Sequence, residues 1–185
     1  MTAACANTAD LLSKVTDEQL AGTTPCDVPL AALIEHVGGL ALAFEAAARK
    51  EFGELTDNAP ELGDGPDADW RRTYPPRLAG LARAWQDPAA WEGMSRAGGV
   101  DFPADVGGLI ALTEVVVHGW DVAVTAGLPY EAPADILEAV LAHVAAFSGG
   151  EPIDGLFGAA VPVAEDAPLM DRVVALTGRD PAWAG

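Results

Sequence analysis

A chain of 185 residues of which 50% are hydrophobic is long enough to bury the ~70% of its unfolded surface that a domain of this size conceals, which excludes general disorder. Ten basic residues against 28 acidic ones leave a net charge of −18, a field that repels phosphate backbones and anionic headgroups and so excludes nucleic acid and membrane surfaces as partners. No basic N-terminal stretch leads into a long apolar run, and the most apolar segment is interrupted by Glu114 and His118 before it reaches about 20 residues, so a soluble cytoplasmic protein is expected.

The first helix is predicted over Thr8 to Leu20, where Leu11, Leu12, Val15 and Leu20 form a short apolar face, and Gly22 to Pro25 end it. Asp27 is the expected N-cap of a second helix from Val28 to about Phe52, whose Leu33, Val37, Leu40 and Phe44 recur at core-facing spacing beside His36. Within it, Gly38-Gly39 costs roughly 1–2 kcal/mol of helix propensity, which implies either a close approach to the backbone or a kink. The stretch from Gly53 to Arg72 reads as a solvated loop. Pro75 and Pro76 suit the first turn of a third helix that runs through Trp85 and stops before Pro88. The irregular residues from Trp91 to Val100 fold over a site mouth or form an ordinary crossover loop.

A fourth helix is predicted from Asp101 or Pro103 to Gly127, and a fifth that starts after Pro133 with Asp135 and buries Ile136, Leu137, Val140, Leu141, Val144 and Phe147 before Gly149-Gly150. A Gly/Pro-rich arm from Pro152 to Pro162 leads to a short helix over Leu169 to Leu176, closed by Gly178. No strand alternation or internal repeat stands out, so the expected class is all-α in a single domain over residues 1–185. Cys5 and Cys26 are the only cysteines, too few for a disulfide scaffold. Cys26 precedes a predicted helix start, where a dipole-activated thiol and a small half-buried filler are both open readings.

The chemistry concentrates on the fourth helix. Glu114, His118, Asp121 and Thr125 fall at steps of four, three and four, within roughly 60° of one another on an otherwise apolar rod. Such a seam of acid and imidazole needs a partner, and a divalent metal is the economical one. An i,i+4 acid–His pair is also an ordinary helix contact. A third ligand must come from another helix, as in metal sites of helix bundles. His36 is the leading candidate and His143, on the fifth helix, the second. Asp121 is placed to hold a ligand imidazole. Two imidazoles with one carboxylate leave open positions and suit zinc, nickel or iron.

Taken together, Thr24-Pro25-Cys26, Glu35-His36-Val37-Gly38-Gly39, Trp91-Glu92-Gly93-Met94 and the run from Glu114 to Asp121 resemble the actinobacterial family related to the metal-binding domain of mycothiol-dependent maleylpyruvate isomerase, in the DinB/YfiT-like superfamily. The tail from Gly155 to Pro181 is similar to the same family. The resemblance implies a four-helix bundle with a long crossover loop and a divalent metal held by His36, Glu114 and His118. It further implies a small-molecule thiol, mycothiol or its like, brought to a small electrophile in a transferase or isomerase reaction. One departure is that Asp27-Val28-Pro29 follows Thr-Pro-Cys where the family often carries Trp. A separate C-terminal domain like that of the full isomerase is not expected within 185 residues, nor therefore is isomerisation of maleylpyruvate itself. The competing expectations are a non-enzymatic ligand-binding or homodimer-forming bundle with a vestigial metal site, and a metal-assisted hydrolase.

Overall fold

Apolar stripes at helical spacing, broken by Gly, Pro and Asp, divide the chain into helices Thr2–Lys14 (α1), Leu30–Arg49 (α2), Glu54–Asp57 (α3), Trp70–Ala84 (α4), Ala104–Thr125 (α5), Ala134–Phe147 (α6) and Leu169–Leu176 (α7). This computed structural model describes residues 1–60, 62–153 and 156–184. Helices α1, α2, α4 and α5 form a four-helix bundle in which α2 and α5 each lie beside the other and beside a second neighbour, α4 and α1 respectively. Helix α6 packs on α5 and carries α7, burying Leu137, Val140 and Val144, whereas Phe147, expected to be buried, lies at the last turn of α6 and is 48% exposed. The core runs through Leu12, Leu33, Ile34, Leu78, Leu81, Val116 and Val140, all essentially fully buried. Helices α2 and α5 are long and apolar enough in composition to cross a bilayer, Glu114 and His118 notwithstanding, but 67% and 78% of their most apolar stretches are buried within the protein.

Several boundaries depart from the sequence expectation, each for a local reason. Helix α1 starts and stops about six residues early because Ala4, Cys5 and Thr8 are buried core residues. Thr16 and Gln19 then form a capping box that opens a separate 3₁₀ turn, Asp17–Ala21. Asp27 sits in a turn at φ 64 and caps nothing; Pro29 precedes the first residue of α2. At its other end α2 stops at Arg49, where Lys50 turns left-handed and donates from Nζ to the Ala90 carbonyl at 2.9 Å. Pro75 and Pro76 lie inside α4, not in its first turn. The preceding turn forms because Trp70 and Tyr74 are buried, with the Arg71 guanidinium stacked over the Trp70 ring at 4.3 Å.

The expectation of no strand is also corrected. Met94–Ala97 (β1) and Val100–Pro103 (β2) pair antiparallel across Gly98-Gly99, both with positive φ. A two-residue Gly-Gly loop matches the twist of paired strands. The hairpin belongs to the packing of the bundle: Ser95 Oγ donates to the Ala47 carbonyl at 2.9 Å, and Trp91 meets Trp85 edge-on at 5.0 Å. Gly127 and Gly178 take the left-handed conformation expected of them.

The Gly38-Gly39 pair proves to be a close approach. A Cβ on Gly38 would lie 2.5 Å from the Tyr74 ring, and one on Gly39 would lie 2.8 Å from Pro60 Cβ. Because Tyr74 is buried in the core, Gly38→Ala is expected to destabilise the fold by about 1–3 kcal/mol despite the better helix former. Urea denaturation of the variant beside the parent checks it; an unchanged midpoint would show that Tyr74 gives way freely.

Candidate metal centre

The polar seam of α5 faces inward. Glu114 and Asp121 are buried, and one helical turn brings Glu114 Oε2 to 3.0 Å from His118 Nε2. His36 enters from the adjacent α2, and its ring meets the His118 ring edge-on with centroids 5.4 Å apart. One ligand-type atom from each of His36, Glu114 and His118 lies within 4.8 Å of the others, and among the described residues these three form the group of metal-ligand types able to share an ion. Small side-chain rotations bring donors at that spacing to the 2.0–2.2 Å bonds of zinc.

Both rings are held by their other nitrogen. His36 Nδ1 is 3.0 Å from the Pro60 carbonyl, and a carbonyl only accepts, so this bond puts the proton on Nδ1 and makes Nε2 the coordinating nitrogen. His118 Nδ1 is likewise 3.0 Å from Asp121 Oδ2. Outer partners of this kind fix the tautomer and orientation of metal-ligating imidazoles. Thr125, the last member of the seam, spends its hydroxyl on the Asp121 carbonyl at 2.7 Å and contributes nothing to the cluster.

The electrostatics favour a cation. Burial opposes charge on His118, but hydrogen bonds and charges from Asp121 and Glu114 outweigh it and push its pKa up to about 9. Burial likewise works against the Glu114 carboxylate, yet His118, His36 and Arg179 hold it below the usual range. Asp121 follows the same pattern through His118 and Arg179.

His143 lies outside the trio. Its ring stacks on Phe147 at 5.7 Å, and it lines a narrow apolar slot with Ile110, Thr113 and Phe157 that reaches Glu114. No residue between Trp91 and Val100 lines that slot. Cys26 sits in the turn before α2, half-buried, and burial followed by the nearby Asp121 charge raises its thiol pKa, so of the two readings the small half-buried filler fits and the dipole-activated thiol does not. The residue that sequence reasoning missed is Arg179, which reaches Asp121 from the tail; its only signal was membership of the Leu-Thr-Gly-Arg-Asp-Pro run.

Comparison with known proteins agrees with this architecture. The sequence model of the mycothiol maleylpyruvate isomerase N-terminal domain family matches residues 1–123, a span that includes His36, Glu114, His118 and Asp121. The chain belongs to this family. A crystal structure of a mutant mycothiol-dependent maleylpyruvate isomerase, in which alanine replaces a histidine, superimposes with a TM-score of 0.58 at 22% identity. The match covers 78% of this chain and 64% of that one, so the chain spans under two thirds of the isomerase's length and the likeness is one of fold. No curated protein matches the sequence. Gly155 of the tail motif lies outside the described residues, whereas Phe157 and Arg179 of that motif are buried in the fold.

Proposed function

We propose that this protein binds a divalent metal, zinc in the first instance, through His36, Glu114 and His118, and uses it to activate a mycothiol-type thiol for transfer to, or isomerisation of, a small electrophile. The observation that carries the reading is that three ligand atoms from two helices converge within 4.8 Å while Pro60 and Asp121 hold the far nitrogens of both imidazoles. A zinc ion with two nitrogen donors and one oxygen donor keeps positions open and lowers the pKa of a thiol, so that the thiolate is available near neutral pH. The chain supplies the rest: Asp121 and the Pro60 carbonyl aim the two rings, and Ile110, Phe147 and Phe157 give Glu114 an apolar flank. No protein nucleophile is then needed, in keeping with a Cys26 thiol whose pKa is raised.

Elemental analysis of untagged protein tests the metal, with about one equivalent expected. Turnover of an epoxide, haloalkane or unsaturated acid with and without mycothiol tests the chemistry. Turnover that ignores the thiol would assign a hydrolase instead, and metal-free protein without turnover would leave a binding bundle.

Gly39→Ala probes the support of His36 from behind. The added Cβ displaces Pro60 and with it the carbonyl that accepts from His36 Nδ1. Zinc affinity is expected to fall about 10–100-fold, read by competition with a chromophoric chelator, while the urea midpoint moves little because Pro60 lies in a loop between α3 and α4.

A further inference from the structure

Asp121 lies at 0% exposure, and an acid that deep requires more than one imidazole as partner. The second partner comes from 58 residues further along the chain, outside the span that the family's sequence model matches. Arg179 Nε is 3.3 Å from Asp121 Oδ1 and Nη2 is 3.0 Å from Oδ2, a forked contact that fixes the plane of the carboxylate. Oδ2 is the same oxygen that takes the His118 Nδ1 bond. The guanidinium is itself held from behind, because Nη1 donates to the Thr177 carbonyl at 3.0 Å. The backbone at Arg179 is tied in turn, its N–H bonding to the Val174 carbonyl at 2.9 Å where α7 ends at the left-handed Gly178.

An unbroken line of hydrogen bonds therefore runs from the end of α7 through Arg179 and Asp121 to a ring of the candidate metal centre. We propose that Arg179 is a positioning residue of that centre: docking of the α7 tail sets the Asp121 carboxylate, and through it the orientation of His118. The inference rests on the metal reading above. It does not follow from burial alone, since an arginine present only to neutralise Asp121 has no need to share the oxygen that holds His118. Its reach is that metal binding and the order of the tail form one coupled equilibrium, and coupling of this kind is reciprocal.

Two variants and one measurement on the unaltered protein test it. Arg179→Lys keeps the charge but loses the fork, and Arg179→Gln keeps a planar donor without charge. Both are expected to weaken zinc binding about 10–100-fold and to shift the visible absorption bands of cobalt(II) bound in place of zinc, Lys less than Gln. A folded variant with parental zinc affinity and an unshifted cobalt spectrum would overturn the proposal and leave Arg179 as a tail anchor. Should neither variant fold, hydrogen exchange of the full chain decides: amides of residues 173–179 are expected to exchange at least about threefold more slowly with zinc than with a chelator. Equal rates in a protein shown to bind zinc would sink the coupling. A chain that takes up no zinc at all would instead refute the metal reading, a distinguishable outcome.

Discussion

Under the proposed function, His36→Ala and Glu114→Ala are each expected to reduce zinc affinity by about 100–1,000-fold, and His143→Ala to leave it within about twofold. The magnitude follows from sharing the roughly 10–16 kcal/mol of a protein zinc site over about four ligands, some 2.5–4 kcal/mol per donor. Loss of His36 leaves the pair on α5, Glu114 and His118, which any helix carrying acid and His four residues apart would present. The His143 control is informative because that ring is the other histidine near Glu114, lining the same slot but stacked on Phe147. Competition titration with a chromophoric chelator gives the affinities, and a chelator-induced drop in Tm of the parent, absent from the His36 variant, gives an independent reading. Full metal occupancy in a protein with alanine at all three positions would remove the foundation of the proposed function.

Asp121→Ala is expected to produce the largest loss of stability, about 3–5 kcal/mol. Removal of the carboxylate leaves the Arg179 guanidinium, with a side chain only 7% exposed, without its counter-charge, and breaking one half of a buried pair costs this much. The solvent-accessible Arg96 pairs with Asp57 and Asp101 supply the contrast: Asp57→Ala should leave the urea midpoint nearly unchanged, since solvent screens that contact. Replacing both buried partners by apolar residues of similar volume, Asp121→Leu with Arg179→Met, is expected to recover most of the stability but not the zinc affinity. Urea denaturation and zinc titration on the same three proteins separate the two effects. A single variant that unfolds at the parental urea concentration would show that the ion pair is better hydrated than its burial indicates.

Much of the bundle was legible because helical periodicity is local. The limits of α7 read from the tail are those observed, Leu169–Leu176, and the four-residue spacing of Glu114 and His118 is enough to place both on one face of α5. The reading failed where a local pattern competes with distant burial. Buried Ala4, Cys5 and Thr8 pulled α1 toward the N-terminus, and buried Trp70 and Tyr74 extended α4 ahead of its prolines. Four-residue strands are too short to show alternation, so the hairpin could have been found only from Gly98-Gly99 as a two-residue turn.

By itself the sequence determined an acidic, helix-rich chain with an acid and an imidazole on one buried face of α5, because composition and periodicity are properties of neighbouring residues. Only the tertiary structure decided that His36 rather than His143 completes the trio, that the Pro60 carbonyl holds His36, and that Arg179 reaches Asp121. Those contacts join residues from 24 to 58 positions apart or more, and such separations are closed only when the apolar stripes pack and the bundle chooses which helices become neighbours.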